Sequence, residues 1–292
     1  MAETFEHNGK RITIIDLSQS LSNETSGFEP LPHRIEYSDH VQSVKMAERL
    51  FGLGAEFWPG GLAWAAETVT LSTHSGTHVD APYHYGPLSG GRPARTIDQV
   101  PLRWCFGDGV LLNMTHKKRG EGITAADVEA ELRRIGYTIK PFDIVLVRTD
   151  TWKHFNEPGY DLMHPGLRRS AVEWLVTRGV KLIGIDAWGL DRPFDVMAAE
   201  ARRGDRSVVW EAHIFGREQE YLQIEKLCHL DEIPVPYGFK VFAFPVKLHR
   251  ASAGWPGSWP SWKRSWSNKA GDIVLMGTML TGARATAHNG PD

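Results

Sequence analysis

His74-Ser-Gly-Thr-His-Val-Asp-Ala-Pro-Tyr-His84 places three imidazoles and a carboxylate within eleven residues. His74, His78, Asp80 and His84 follow one another at intervals of four, two and four. Imidazole nitrogen and carboxylate oxygen are the usual donors for Zn²⁺ or Mn²⁺, so the string reads as a divalent-metal site. Gly76 and Pro82 interrupt any helix through it. That excludes the His-Glu-x-x-His arrangement, in which two histidines share one helix face. The preceding run, 67–73, has the β-branched character of a strand. His74 and His78 are therefore expected at a strand end and in the tight turn after it, with Gly76 bending the backbone so that both rings and Asp80 aim at one point.

Outward from this string, further apolar runs at 11–17, 109–114, 143–148, 181–186 and 239–248 read as strands, most of them buried on both faces. Helical patterns lie between some of them. One spans 124–136, with Thr124 as N-cap and Gly136 as its stop. Another runs over 167–178 and ends at Gly179, and a third covers 207–220. The order predicts an α/β fold, a single domain with a mixed sheet flanked by helices, over residues 1–250. Residues 251–292 differ, being rich in Gly, Pro, Ser, Thr and Ala. Trp255, Trp259, Trp262 and Trp266 recur there at helical spacing, but Pro256 and Pro260 oppose a regular helix. Two readings stand: a loosely ordered tail, or an aromatic arm for an interface.

The 292 residues carry a formal net charge of −2 and are 41% apolar. This near-neutral balance gives no electrostatic reason to expect nucleic acid. No stretch is long and apolar enough for a signal peptide or a membrane span. Two cysteines, Cys105 and Cys228, make no disulfide framework, so a cytoplasmic protein is expected. Neither shows a His neighbour at the spacing of a thiol nucleophile. His33, His40, His116, His154, His164, His229 and His249 are scattered and read as core or solvated residues. Phe57 and Trp58, on the glycine-rich stretch before the metal string, read either as substrate contacts or as packing.

Every position of the pattern His-x-Gly-Thr-His-x-Asp-x-Pro-x-His is filled here. On that string the chain resembles the cyclase-like metal-dependent hydrolases, the family of bacterial kynurenine formamidase and isatin hydrolase. A second half of the pattern is His213 followed twelve residues later by Glu225, within Leu-Gln-Ile-Glu-Lys-Leu. Further echoes are Asp16-Leu17-Ser18, Gly184-Ile185-Asp186 with Asp191, and Phe244-Pro245-Val246-Lys247-Leu248, so the likeness covers residues 11–250. Three features depart from the family. Lys226 stands where it has Asn, Ala251-Ser252-Ala253-Gly254 runs into the Trp-rich segment, and insertions lie around 30–65 and 190–210. Substrate specificity is expected to be set in those loops.

The resemblance implies a swivelling β/β/α fold and metal-activated water attacking a small amide, either an aryl formamide or a cyclic amide. It implies that His74, His78 and Asp80 bind one ion, Zn or Mn. Asp80 would bridge to a second ion on His213 and Glu225, or Glu225 would orient water from behind a single ion. It also implies that His84 does acid–base work, and that an aromatic residue soon after Asp16-Leu17-Ser18, with Phe28 as the nearest candidate, packs on the substrate. The implied partners are a small, aromatic substrate and further copies of the chain, as a homodimer or homotetramer. A lactone hydrolase, a cyclase or dehydratase polarising a carbonyl with the same metal, and a non-catalytic metal-binding protein are the alternatives.

Overall fold

Runs of β-branched and leucine residues lie side by side at the centre of the molecule. In the computed structural model, residues 2–7, 9–27, 29, 31–256 and 272–276 are described, the last five by backbone alone. The strands used below are β1 Ala2–His7, β2 Lys10–Asp16, β3 Arg34–Ser38, β4 Ala66–Thr70, β5 His78–Asp80 and β6 Phe106–Asn113. They continue with β7 Ile144–Arg148, β8 Leu182–Ile185, β9 Leu222–Glu225, β10 Tyr237–Phe242, β11 Ala253–Gly254 and β12 Asp272–Met276. All but β3 and β4 join one mixed sheet, in the order β1-β2-β12-β10-β6-β7-β8-β9-β5-β11. Its centre, β6 to β9, is parallel, with Ile144 opposite both Gly109 and Leu182, and Leu182 opposite Leu222.

Parallel neighbours need crossover connections, and helices supply them. The helices are α1 His40–Phe51, α2 Pro82–Tyr85, α3 Ala125–Ile135, α4 Arg169–Thr177, α5 Phe194–Arg202 and α6 Glu211–Phe215. Strand alternation sends Val110, Leu112, Val145, Val147, Ile183 and Ile185 to one face. There they pack against Val128 and Leu132 of α3, Val172 and Leu175 of α4, and Phe215 of α6. The intervening Leu111, Ile144, Leu146 and Leu182 face the other way, onto Ile97, Cys105, Leu230 and Phe239. Helices therefore cover one face, and loops with short 3₁₀ turns cover the other. Among the described residues no helix is long and apolar enough to cross a membrane.

The caps of α3 fall where the sequence puts them. Thr124 accepts from the Asp127 backbone N–H, and Gly136 closes the helix at φ 69°. Elsewhere the structure corrects the reading. The strand expected over 67–73 stops at Thr70 and pairs with β3 in a separate two-stranded antiparallel sheet. The helix expected over 207–220 shrinks to α6, preceded by a 3₁₀ turn at Arg206–Val208. The strand expected over 239–248 runs instead from Tyr237 to Phe242, with Pro245 beyond it in an isolated bridge to Pro256. Helix α1 was not anticipated. Its signals are the capping box of Asp39 with Gln42 and the left-handed Gly52 at its end.

The residues just past 250 join the sheet as well. Ala253 and Gly254 pair with Asp80 and Val79, and Trp255 Nε1 donates to the Ser75 carbonyl at 3.0 Å. Asp272–Met276 lies between β2 and β10, parallel to both. Trp259, Trp262 and Trp266 fall outside the described residues.

Candidate active site

Strand β5 is three residues long and fully buried. It is clamped between two antiparallel neighbours, with Glu225 of β9 opposite His78 and Gln223 opposite Asp80. His78 and Asp80, two apart on a strand, point to the same side. The expected order is reversed here: His74 lies in the turn before the strand, and His78 lies on the strand itself. Gly76 makes that turn at φ 61°, and a Cβ there would come within 2.7 Å of the Leu21 side chain. Pro82 then opens α2, a single turn that carries His84 back over the site. The His84 and His74 rings lie 4.1 Å apart, and His84 is 5.4 Å from His213 on α6.

Hydrogen bonds fix which nitrogen each histidine offers. His78 Nδ1 donates to the Gly76 carbonyl at 2.8 Å. That leaves Nε2 facing Asp80 Oδ1 at 3.2 Å and Glu225 Oε2 at 3.7 Å. His213 Nδ1 lies 2.5 Å from Asp191 Oδ2, so its Nε2 faces Glu225 Oε1 at 3.7 Å and Asp80 Oδ2 at 4.0 Å. His74 is held from its outer edge by Ser252 Oγ, 2.9 Å from Nε2, and its Nδ1 approaches Asp80 Oδ1 to 2.9 Å. Two donor groups result, His74–His78–Asp80 and Asp80–His84–His213, with Asp80 common to both.

Burial would raise the Asp80 carboxyl, but His78, His84 and His74 outweigh it and hold the group well below the usual carboxylate range. Glu225 is pushed up, by burial and by the Asp80 charge. Burial would lower His213, yet Asp191 raises it overall. At His84 burial wins over the pull of Asp80, and with the repulsion of the neighbouring imidazoles it brings the group down to about 4.

This donor set fits a divalent metal ion. His78 Nε2 and both Asp80 oxygens are buried without a hydrogen-bond partner of acceptable geometry among the described residues. Buried polar atoms are normally satisfied, so three orphans facing one space call for a cation. Donor atoms each about 2.0–2.2 Å from one ion lie roughly 3–4 Å apart, the spacing seen here.

A cleft of ≈ 220 Å³ opens over these donors, walled by Leu31, Trp188, Phe194 and Trp210, with Glu29 and Lys226 at its side. Trp210 stacks on His213 at 4.2 Å and 12°. The structure thus brings together His74, His78, Asp80, His84, His213 and Glu225. Phe57 and Trp58 are not among the lining residues. Phe57 is exposed, and Trp58 packs edge-on against Trp64 within the insertion. Phe28 lies outside the described residues.

His164, read as incidental, lines the cleft, but both its ring nitrogens engage main-chain carbonyls, of Pro165 and Asp161. Cys228 does have a His contact, with His229 Nδ1 3.2 Å from Sγ. Burial nevertheless pushes this thiol up to about 12, which removes it as a nucleophile. Asp186 lies outside the cleft, accepting from the Thr149 hydroxyl and from the Thr149 and Asp150 amides.

The profile of the family described as "Putative cyclase" matches residues 15–192, more than half of the chain. The chain belongs to the cyclase family. Among cyclase-family relatives it is similar to the kynurenine formamidase of Maricaulis maris (strain MCS10), 28% identical over 210 residues, 67% of this chain and 87% of that protein. It is 27% identical over 215 residues to the kynurenine formamidase of Erythrobacter litoralis (strain HTCC2594), covering 69% and 85%. Among solved structures, isatin hydrolase A from Ralstonia solanacearum shares the fold at a TM-score of 0.63 and 23% identity, over 83% of this chain and 88% of that one. An isatin hydrolase bound to the product analogue thioisatinate gives the same TM-score at 20% identity, again over 83% and 88%.

Asp191, the final residue but one of the matched span, is a supporting group that in sequence is only an echo of the family pattern. It orients His213 and accepts the Ala212 amide at 2.8 Å. Asp191→Asn is expected to weaken metal binding about 10- to 100-fold, the usual effect of removing a carboxylate behind a ligating histidine. Competition with a chelator of known affinity measures this, and an unchanged affinity would show that His213 needs no such support.

Proposed function

We propose that this cyclase-family chain is a metal-dependent hydrolase of a small amide, an aryl formamide or a cyclic amide, working with Zn²⁺ or Mn²⁺. One observation carries the reading: orphaned, buried ligand atoms converge at the floor of a cleft in which a further imidazole, His84, stands beside them. A purely structural metal site has no use for an open cleft. The amide class is supported by the names of the formamidase and isatin hydrolase relatives.

His74, His78 and Asp80 would hold one ion. His213 and Glu225 would complete its shell or, through the shared Asp80, hold a second. When bound, the metal polarises a carbonyl and lowers the pKa of water towards neutrality. His84, neutral at pH 7 and next to the ligands, accepts the proton of the attacking water and returns it to the leaving nitrogen. Asp191 and the Gly76 carbonyl keep His213 and His78 in the tautomer that leaves Nε2 free. Trp210 covers His213 and keeps bulk water from that side of the site.

The test is a metal-replete screen over formanilides, N-formylkynurenine, isatin-type lactams and lactones. Turnover of an amide is expected, lost on chelation and restored by Zn²⁺ or Mn²⁺. Full activity in a metal-free sample, or lactone turnover without amide turnover, would overturn the reading.

A further inference from the structure

The charged residues in the cleft wall are already spoken for. Lys226 follows the ligand Glu225 in a left-handed conformation, φ 58°, and is only 2% exposed. Its Nζ donates to Glu29 Oε1 at 2.5 Å, to Glu29 Oε2 at 2.7 Å and to the His74 carbonyl at 3.0 Å. An ammonium has three protons, so none is left for a ligand. Arg192, the other cation in the wall, is neutralised by Glu200, which accepts from both terminal nitrogens at 2.8 and 2.7 Å, while its buried Nε has no partner among the described residues. With one divalent ion bound, Asp80 and Glu225 together match its two charges. Among the described lining residues, the lysine and the arginine each have a carboxylate counter-charge within the protein. The remaining wall is aromatic and aliphatic, with Trp188 beneath the Lys226 ammonium at 5.4 Å.

From this we infer that Glu29 and Lys226 form a specificity-determining pair that restricts the cleft to uncharged substrates. The inference rests on the hydrolase reading and narrows its substrate class. A substrate carboxylate would leave water for a cleft whose lysine and arginine already have carboxylate partners, at the cost of burying a charge without a counter-charge of its own. A neutral ring instead gains contact with Trp188, Trp210 and Phe194. Glu29 is the element that neutralises Lys226, so removing its charge releases a buried cation for an anionic substrate.

The experiment compares near-isosteric neutral and anionic substrates, 4-formamidobenzamide with 4-formamidobenzoate and isatin-5-carboxamide with isatin-5-carboxylate. The native enzyme is expected to favour the neutral member by about ten-fold or more in kcat/KM, mostly through KM. Glu29→Gln is expected to shift that ratio about ten-fold or more towards the anion, and Glu29→Gln with Lys226→Met to return it. Equal kcat/KM for the two members in the native enzyme overturns the inference, even if Glu29→Gln fails to fold. A ratio unmoved in folded Glu29→Gln overturns it as well. Absence of turnover across the whole substrate panel is a different result: it removes the hydrolase reading, and this inference with it.

Discussion

Asp80→Asn is expected to empty the site of metal and to lower kcat/KM by about a thousand-fold or more. Metal polarisation is worth several kcal/mol, and each 1.36 kcal/mol is a factor of ten. The substitution keeps the side-chain volume, so packing of the buried strand β5 is little disturbed. What it changes is charge and chemistry at the point shared by both donor groups. One acceptor oxygen becomes an amide donor facing a bare histidine nitrogen, and a hydrogen bond formed there competes with coordination. Added metal should raise the thermal midpoint of the native chain, since a ligand bound only by the folded state stabilises it. The variant should show no such rise. Stoichiometric metal in purified Asp80→Asn, with native affinity, would remove Asp80 from the ligand set.

His84→Ala separates chemistry from metal holding. Its expected loss is about 10²- to 10⁴-fold in kcat/KM, the usual contribution of a positioned acid–base group. Metal content should be retained, because His74, His78 and Asp80 are held independently by Ser252, the Gly76 carbonyl and β9. Elemental analysis beside steady-state kinetics gives both readouts from one sample. Metal lost together with activity would make His84 a ligand instead, a role open to it because its ring nitrogen lies in the same donor group as Asp80 and His213. Activity retained would leave the proton transfer to another residue.

Local signals made the near half of the site readable. Four donors within eleven residues, a glycine that bends the chain and a proline that starts a helical turn all act over a few residues. Helix α3 was readable for the same reason, since its cap and its stop are local devices. Tertiary contacts were not. Ser252 reaches His74, and Glu29 reaches Lys226, through the order of strands, which no local pattern encodes. Aromatic residues on loops carry no periodicity, so Phe57 and Trp58 read as well as Trp188 and Trp210. Only the packed structure separates a lid of its own insertion from the wall of a cleft. Lys226 illustrates the same gap. A lysine beside a ligand looks like a solvated charge until a glutamate from the other end of the chain is found on top of it.

Strand β5 has a consequence for synthesis. It carries two of the candidate metal donors, yet both of its neighbours, β9 and β11, come from the last third of the described chain. The contact between His74 and Ser252 spans 178 positions. A ribosome-bound chain that has released its first 200 residues already displays the whole string from His74 to His84, but has nothing to hold it in a sheet. Closing such long loops is a late and slow event in folding. Assembly of this donor set in its final geometry therefore waits until β9 and β11 have left the ribosome, and before that the exposed histidines are free to meet any ion the cell offers.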